Sequence, residues 1–148
     1  MADYTIYRGF LYFDTSDIPE NAVITSAVLS FKIHAEAVNE GNGKVVVQNG
    51  QPNYPHSSMV VGDYNYTHYG NNGGQSVEIN SLSNSEYNEI TLNSNGRAWI
   101  NKGGITKFCL RNSRDIDNIT IAENNKVAIY GSEKGVGYRP KLEITYEY

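Results

Sequence analysis

The 148-residue chain has a single cysteine, which excludes an intramolecular disulfide. It also lacks an apolar stretch as long as a membrane helix, so we expect no membrane insertion. Long basic runs are missing as well, and 12 Lys and Arg against 16 Asp and Glu give a net charge of −4. Nucleic acids and anionic membranes are therefore disfavoured as partners.

The residues that are plentiful favour strands and turns. The chain has 12 tyrosines and 14 glycines, and asparagine is common. Such a composition is typical of half-buried strands joined by turns rather than of helices. At this length we expect one domain, residues 1–148, that is large enough to form its own core.

Two stretches alternate cleanly between apolar and polar residues, one from Thr25 to Ile33 and one from Lys141 to Tyr146. A period of two indicates a strand with one buried face. An earlier stretch, TIYRGFLYF, is apolar on both faces and predicts a strand that is covered on both sides. The residues expected in the core are Leu29, Phe31, Ile33, Leu142 and Ile144.

About eight strands are predicted, including a short strand followed by a turn over 119–125 and a strand over 127–131, and a polar loop is predicted over 112–118. The only helix expected is a short one over 96–101, capped by residues 93–95 and closed by Gly103 and Gly104. Trp99 lies in that helix between Ala98 and Ile100 and is interpreted as a core anchor, with sugar stacking as the alternative. The predicted fold is an all-β, two-sheet antiparallel β-sandwich of jelly-roll type with one short helix.

Both ends of the chain carry motifs of one known family. The opening RGFLYFDTSDIP is followed by SAVLSF, and the closing half contains NGRAWINKGGITKFCLR and IYGSEKGVGYRPKLEITY. This pattern, over residues 6–146, resembles the DNRLRE domains, which overlap the disaggregatase-associated domains and carbohydrate-binding module family 96. The resemblance implies a jelly-roll sandwich that serves as a non-catalytic module of extracellular and cell-surface proteins, with polysaccharide binding in some members.

The longest stretch without a period runs from Pro52 to Gly74, and a long loop in a compact domain is usually functional. Tyrosine suits a ligand that is apolar on its C–H face and polar at its rim, as a sugar is. Arginine adds donors for hydroxyls or for a uronate carboxylate. The candidate ligand-binding residues are Tyr54, Tyr64, Tyr66, His68, Tyr69, Arg111 and Arg114. The alternative is that the rings cover one open end of the sandwich.

Metal sites are weighed at two places. The stretch from Asp115 to Asn118 brings three oxygen ligands together, so Asp115 and Asp117 are candidate ligands of a structural calcium. Calcium takes six to eight oxygens, so backbone carbonyls and a distant carboxylate would have to complete that site. His56 and His68 share the Tyr-rich loop and offer a second, less complete set of ligands.

No catalytic arrangement is recognised, and we expect no enzyme activity. The sequence has no G-x-S-x-G motif, and Cys109 lies between apolar neighbours, as a packing residue does. Paired carboxylates can hydrolyse glycosides, but Asp63 and Glu86 are no better candidates than other pairs.

These observations predict a non-catalytic carbohydrate-binding module of a larger secreted or cell-surface protein, which binds an oligo- or polysaccharide weakly through the Tyr-rich loop. The alternative is a structural or adhesive module that joins surface proteins through its edge strands and binds no sugar. A strand pattern begins by Thr5, and Met1, Ala2 and Asp3 do not form a signal peptide. We therefore expect the secretion signal elsewhere in a longer protein, with a complete cytoplasmic protein as the alternative.

Overall fold

The computed structural model describes residues 5–34, 42–119 and 125–148. These ranges contain seven strands, two short α-helices and several 3₁₀ turns. The strands are β1 (Gly9–Asp14), β2 (Val23–Phe31), β3 (Lys44–Gln48), β4 (Gln75–Glu78), β5 (Asn88–Thr91), β6 (Ile105–Asn112) and β7 (Lys141–Glu147). The helices are α1 (Ser94–Ala98) and α2 (Ser113–Ile116), and the 3₁₀ turns are Val61–Tyr64, Tyr66–His68, Ile79–Ser81 and Ser132–Lys134.

The strands form two antiparallel sheets. One has the order β1-β6-β3-β4 and the other has the order β5-β2-β7. The apolar faces of both sheets contribute to one core, so the predicted all-β sandwich is confirmed. The jelly-roll connectivity stays a prediction. No helix in the described residues is long and apolar enough to cross a membrane.

The core follows the alternation that the sequence shows. Leu29, Phe31 and Ile33 are buried, as predicted. Phe108 and Leu110 of β6 belong to the same cluster, because inward-facing residues of β6 also recur at every second position. Leu142 and Ile144, which were expected in the core, are partly buried and pack against its margin. β7 is an edge strand of its sheet, and this position explains the partial exposure of Leu142 and Ile144.

The helices differ from the prediction. α1 runs over Ser94–Ala98 rather than 96–101, because the side chain of Asn93 caps it by accepting a hydrogen bond from the Gly96 amide at 3.1 Å. α2 occupies the stretch that was predicted as a polar loop. Asn112 caps α2 by accepting from the Arg114 amide at 2.9 Å. The expectation of a single helix is therefore wrong.

The predicted strand over 127–131 is also wrong. In its place there is an isolated bridge between Ile129 and Ile33. The predicted strand over 119–125 lies mostly outside the described residues.

Helix α1 packs directly on the backbone of Gly73. An added Cβ at Gly96 would lie 2.2 Å from the Gly73 carbonyl oxygen, so only glycine fits there. The six-membered ring of Trp99 also contacts Gly73, and an added Cβ at Gly73 would lie 2.2 Å from that ring. Trp99 packs against the core, as the core-anchor interpretation predicts, but its side chain remains partly exposed.

We expect Gly96→Ala to lower the free energy of unfolding by about 1–3 kcal/mol, because the new methyl group meets backbone that cannot move aside. Alanine normally stabilises a helix relative to glycine, so a loss here would be diagnostic of the contact. Urea unfolding of both proteins measures the difference. Gly62→Ala is the control, because an added Cβ at Gly62 meets no atom within 4 Å. A stabilised Gly96→Ala variant would contradict the close packing.

Candidate functional site

The Tyr-rich loop lies on the outer face of the four-stranded sheet. We call residues 51–70 the covering segment. Its Tyr69 ring lies 5.5 Å from the ring of Phe10 in β1, and the Tyr12 hydroxyl donates to the His56 carbonyl at 2.7 Å. The Lys107 ammonium of β6 donates to the Pro55 carbonyl at 2.9 Å. The segment therefore covers a face of the sandwich and not an open end.

Cys109 lies on this outer face of β6 and is fully buried. Burial raises the pKa of its thiol to about 12. A nucleophilic cysteine needs a thiolate, and at neutral pH this one stays protonated. This environment agrees with the interpretation of Cys109 as a packing residue.

Asp63 fixes the shape of the covering segment from within. Its carboxylate accepts hydrogen bonds from the Val60 amide at 2.8 Å, the His56 amide at 3.1 Å and His56 Nδ1 at 2.7 Å. Burial raises the pKa of Asp63, but the hydrogen bonds from Val60 and His56 outweigh it, so the pKa lies below its usual value. A carboxylate that stays ionised does not suit the proton-donating role in glycoside hydrolysis.

Three of the predicted ligand residues are used inside the segment. Tyr54 and His68 stack on each other, with ring centroids 3.7 Å apart and planes 7° apart. Tyr69 is buried, and its hydroxyl donates to the Asp63 carbonyl at 2.8 Å. Burial raises the pKa of that hydroxyl well above its usual value. These rings hold the segment together, and little of Tyr69 is left for a ligand.

Tyr64 and Tyr66 present their rings to solvent, with 47% and 56% of each residue exposed. The guanidinium carbon of Arg8 lies 4.5 Å from the Tyr64 ring centroid and 5.6 Å from that of Tyr66. The guanidinium of Arg111 also lies 5.6 Å from the Tyr66 ring. The Tyr64 hydroxyl donates to the Ile6 carbonyl at 2.6 Å. We call Tyr64 and Tyr66, with the two arginines against them, the tyrosine platform.

One buried carboxylate holds both arginines in place. Asp115 accepts from Arg8 Nε and Nη2 at 2.8 and 2.7 Å and from Arg111 Nε at 2.7 Å. Arg111 Nη1 also donates to Gln48 Oε1 at 2.9 Å. Burial raises the pKa of Asp115, but the hydrogen bonds from Arg8 and Arg111 outweigh it and leave the pKa below its usual value. The same bond to Asp115 raises the pKa of Arg8, so the network stays charged.

This network argues against the predicted calcium site. Both carboxylate oxygens of Asp115 already bind guanidiniums, which would repel a cation, and Asp117 is exposed. In the part of the chain that the structure describes, no group of three or more His, Cys, Asp or Glu side chains is placed to hold a metal ion. That finding applies equally to His56 and His68.

No family model, curated protein or solved structure matches this chain. The resemblance to DNRLRE domains therefore stays a prediction.

The structure brings Tyr64, Tyr66 and Arg111 together, as the predicted site requires. Arg114 lies elsewhere, because its guanidinium bonds the side chain of Asn42. Arg8 is central to the platform, but no local pattern singles it out, since its partner Asp115 is 107 residues away. Two exposed rings that are held by cations and hydrogen bonds can stack on the flat C–H faces of a ligand.

Proposed function

We propose that the protein is a non-catalytic carbohydrate-binding module of a larger secreted or cell-surface protein, and that the tyrosine platform receives the sugar. The observation that carries this proposal is the pair of half-exposed rings, Tyr64 and Tyr66, held over Arg8. Arg8 holds both rings in place while about half of each residue stays in solvent, so a stacking ligand can cover that surface.

The platform is organised before a ligand arrives. The Tyr64 hydroxyl is bonded to Ile6, and Arg8 Nη1 donates to the Tyr64 carbonyl at 3.0 Å. The Asn65 side chain accepts from the Thr67 amide at 3.1 Å, which fixes the backbone turn that leads into Tyr66. Side chains that are already ordered lose less entropy on binding, so a shallow site of two rings can still bind an oligosaccharide.

The alternative of an adhesive module that pairs through its edge strands is disfavoured at β7, one of the four edge strands in the described residues. β7 is an edge strand of the three-stranded sheet in the described part of the chain. Its exposed side chains include Lys141, Glu143 and Glu147. Charged residues along an edge are the usual device against pairing between sheets.

We expect Tyr66→Ala to weaken glycan binding at least about tenfold, or about 1.4 kcal/mol, while the fold persists. Two rings in a shallow site should give a dissociation constant of about 10 μM to 1 mM for the intact protein. A glycan array selects the oligosaccharide, and an NMR titration measures affinity and locates the shifts.

Tyr148→Ala is the matched control, because Tyr148 is 84% exposed but lies outside the platform. We expect its affinity to equal that of the unchanged protein. The assignment fails if Tyr66→Ala lowers the stability of the domain without changing its affinity for the glycan, or if the shifts cluster away from Tyr64 and Tyr66.

A further inference from the structure

A groove of about 670 Å³ opens beside α1, and none of the platform residues lines it. The groove is open to solvent rather than enclosed. Its lining includes Glu20, Gln51, Trp99, Asn101, Lys102 and Lys107.

Trp99 is held rigidly at this groove. Its ring packs on Gly73, which has no side chain to push it away. Its backbone carbonyl accepts from Gln51 Nε2 at 2.9 Å. Trp99 is partly exposed and lines the groove, and these contacts fix its position.

The polar groups of the groove divide into those that build its wall and those that remain available. Gln51 Oε1 accepts from the Lys107 amide at 2.9 Å, and the Lys107 ammonium donates to the Pro55 carbonyl, so both belong to the wall. The Glu20 carboxylate forms no hydrogen bond or ion pair with the described residues. The Lys102 ammonium makes a single 3.3 Å bond, to the Glu20 carbonyl, which leaves two donors for a ligand.

The available groups decide what kind of ligand fits. A carboxylate acceptor and an ammonium donor beside one fixed aromatic face match the hydroxyls and the C–H face of a pyranose ring. Glu20 disfavours an anionic sugar, whereas Lys102 disfavours a cationic one. Grooves that bind proline-rich peptides are instead lined by several aromatic residues, and Trp99 is the only aromatic residue that lines this one.

We propose that this groove is a second sugar site, which binds a neutral oligosaccharide by stacking on Trp99 and by hydrogen bonds to Glu20 and Lys102. This inference rests on the carbohydrate-binding function proposed above and makes the module bivalent. Two weak sites on one module raise the overall affinity for a polymer that reaches both.

The test uses Trp99 as its own reporter, because it is the only tryptophan in the chain. The intact protein is titrated with cellohexaose, mannohexaose, xylohexaose and chitohexaose, while tryptophan emission, acrylamide quenching and NMR shifts are followed. We expect at least one hexasaccharide to shift the emission to shorter wavelength and to lower the quenching constant about twofold. Glu20→Ala should weaken that response at least about fivefold, and Glu89→Ala, an exposed glutamate of β5, should not.

The outcomes separate the groove from the platform. Shifts at Tyr64 and Tyr66 without a tryptophan response overturn the groove and leave the proposed function intact. A tryptophan response without platform shifts supports the groove and moves the site away from the platform. If neither the NMR signals of Tyr64 and Tyr66 nor the tryptophan emission responds, both proposals are overturned. The groove is also overturned if Glu20→Ala leaves the response unchanged, or if deca-proline replaces the hexasaccharides as the ligand that shifts the emission.

Discussion

Leu29→Ala should lower the free energy of unfolding by about 3–5 kcal/mol. Leu29 is completely buried in β2, the central strand of its sheet, and its cross-strand neighbours are Ile90 on one side and Leu142 on the other. Alanine would leave a cavity between three strands that are held in register by their hydrogen bonds, so the site has little freedom to collapse. Denaturant unfolding followed by circular dichroism measures the loss.

The control for this substitution is Val23→Ala in the same strand. Val23 is 64% exposed at the start of β2, so its truncation should change the free energy of unfolding by less than about 0.5 kcal/mol. Equal effects at the two positions would mean that the alternation in β2 does not separate core from surface.

Asp115→Ala should cost about 3 kcal/mol, at the low end of the range for removing one partner of a buried ion pair. The side chain of Asp115 is only 8% exposed, and its loss would leave Arg8 and Arg111 with buried, unpaired charge. The same change should release the arginines from the platform, so glycan affinity should fall together with stability. Unfolding curves and the NMR titration described above measure the two effects.

The stabilisation by Asp115 should depend on pH in a defined direction. Its pKa is lower in the folded protein than in the unfolded chain, where it is about 3.9. The difference in unfolding free energy between the unchanged protein and Asp115→Ala should therefore be complete at neutral pH and above about pH 5. It should disappear as the pH falls below 3.9 and through the folded value, because the carboxyl is then protonated in both states.

Asp117→Ala is the control for the pH experiment. Asp117 is exposed two residues further along, and its side chain makes no hydrogen bond or ion pair with the described residues. We expect no pH-dependent difference from it. A pH profile that is the same for both variants would show that the ion pairs of Asp115 contribute nothing to stability.

The fold could be predicted further than the site, because the two depend on different ranges along the chain. Burial of Leu29, Phe31 and Ile33 follows from a period of two, which can be recognised within about eight neighbouring residues. The second helix was missed because four residues carry no helical period, and only the cap formed by Asn112 marks its start.

The tyrosines show why the site was harder to predict. Tyr64 and Tyr69 lie in the same irregular stretch with similar neighbours, but one ring faces solvent and the other is buried against Phe10. Which of them is available depends on β1, which comes more than 50 residues earlier, and composition does not encode that contact. The groove beside Trp99 could not be predicted for a similar reason, since residues from separate parts of the chain line it.

The buried position of Cys109 beneath the covering segment gives the protein a built-in probe of its own motion. A reagent such as a disulfide-exchange dye can reach that sulfur only when the segment lifts or the whole domain unfolds. The rate of thiol labelling in the native protein therefore measures opening of the segment, with no engineered residue. Addition of a glycan that binds the platform should slow this labelling, because the bound ligand holds the segment closed.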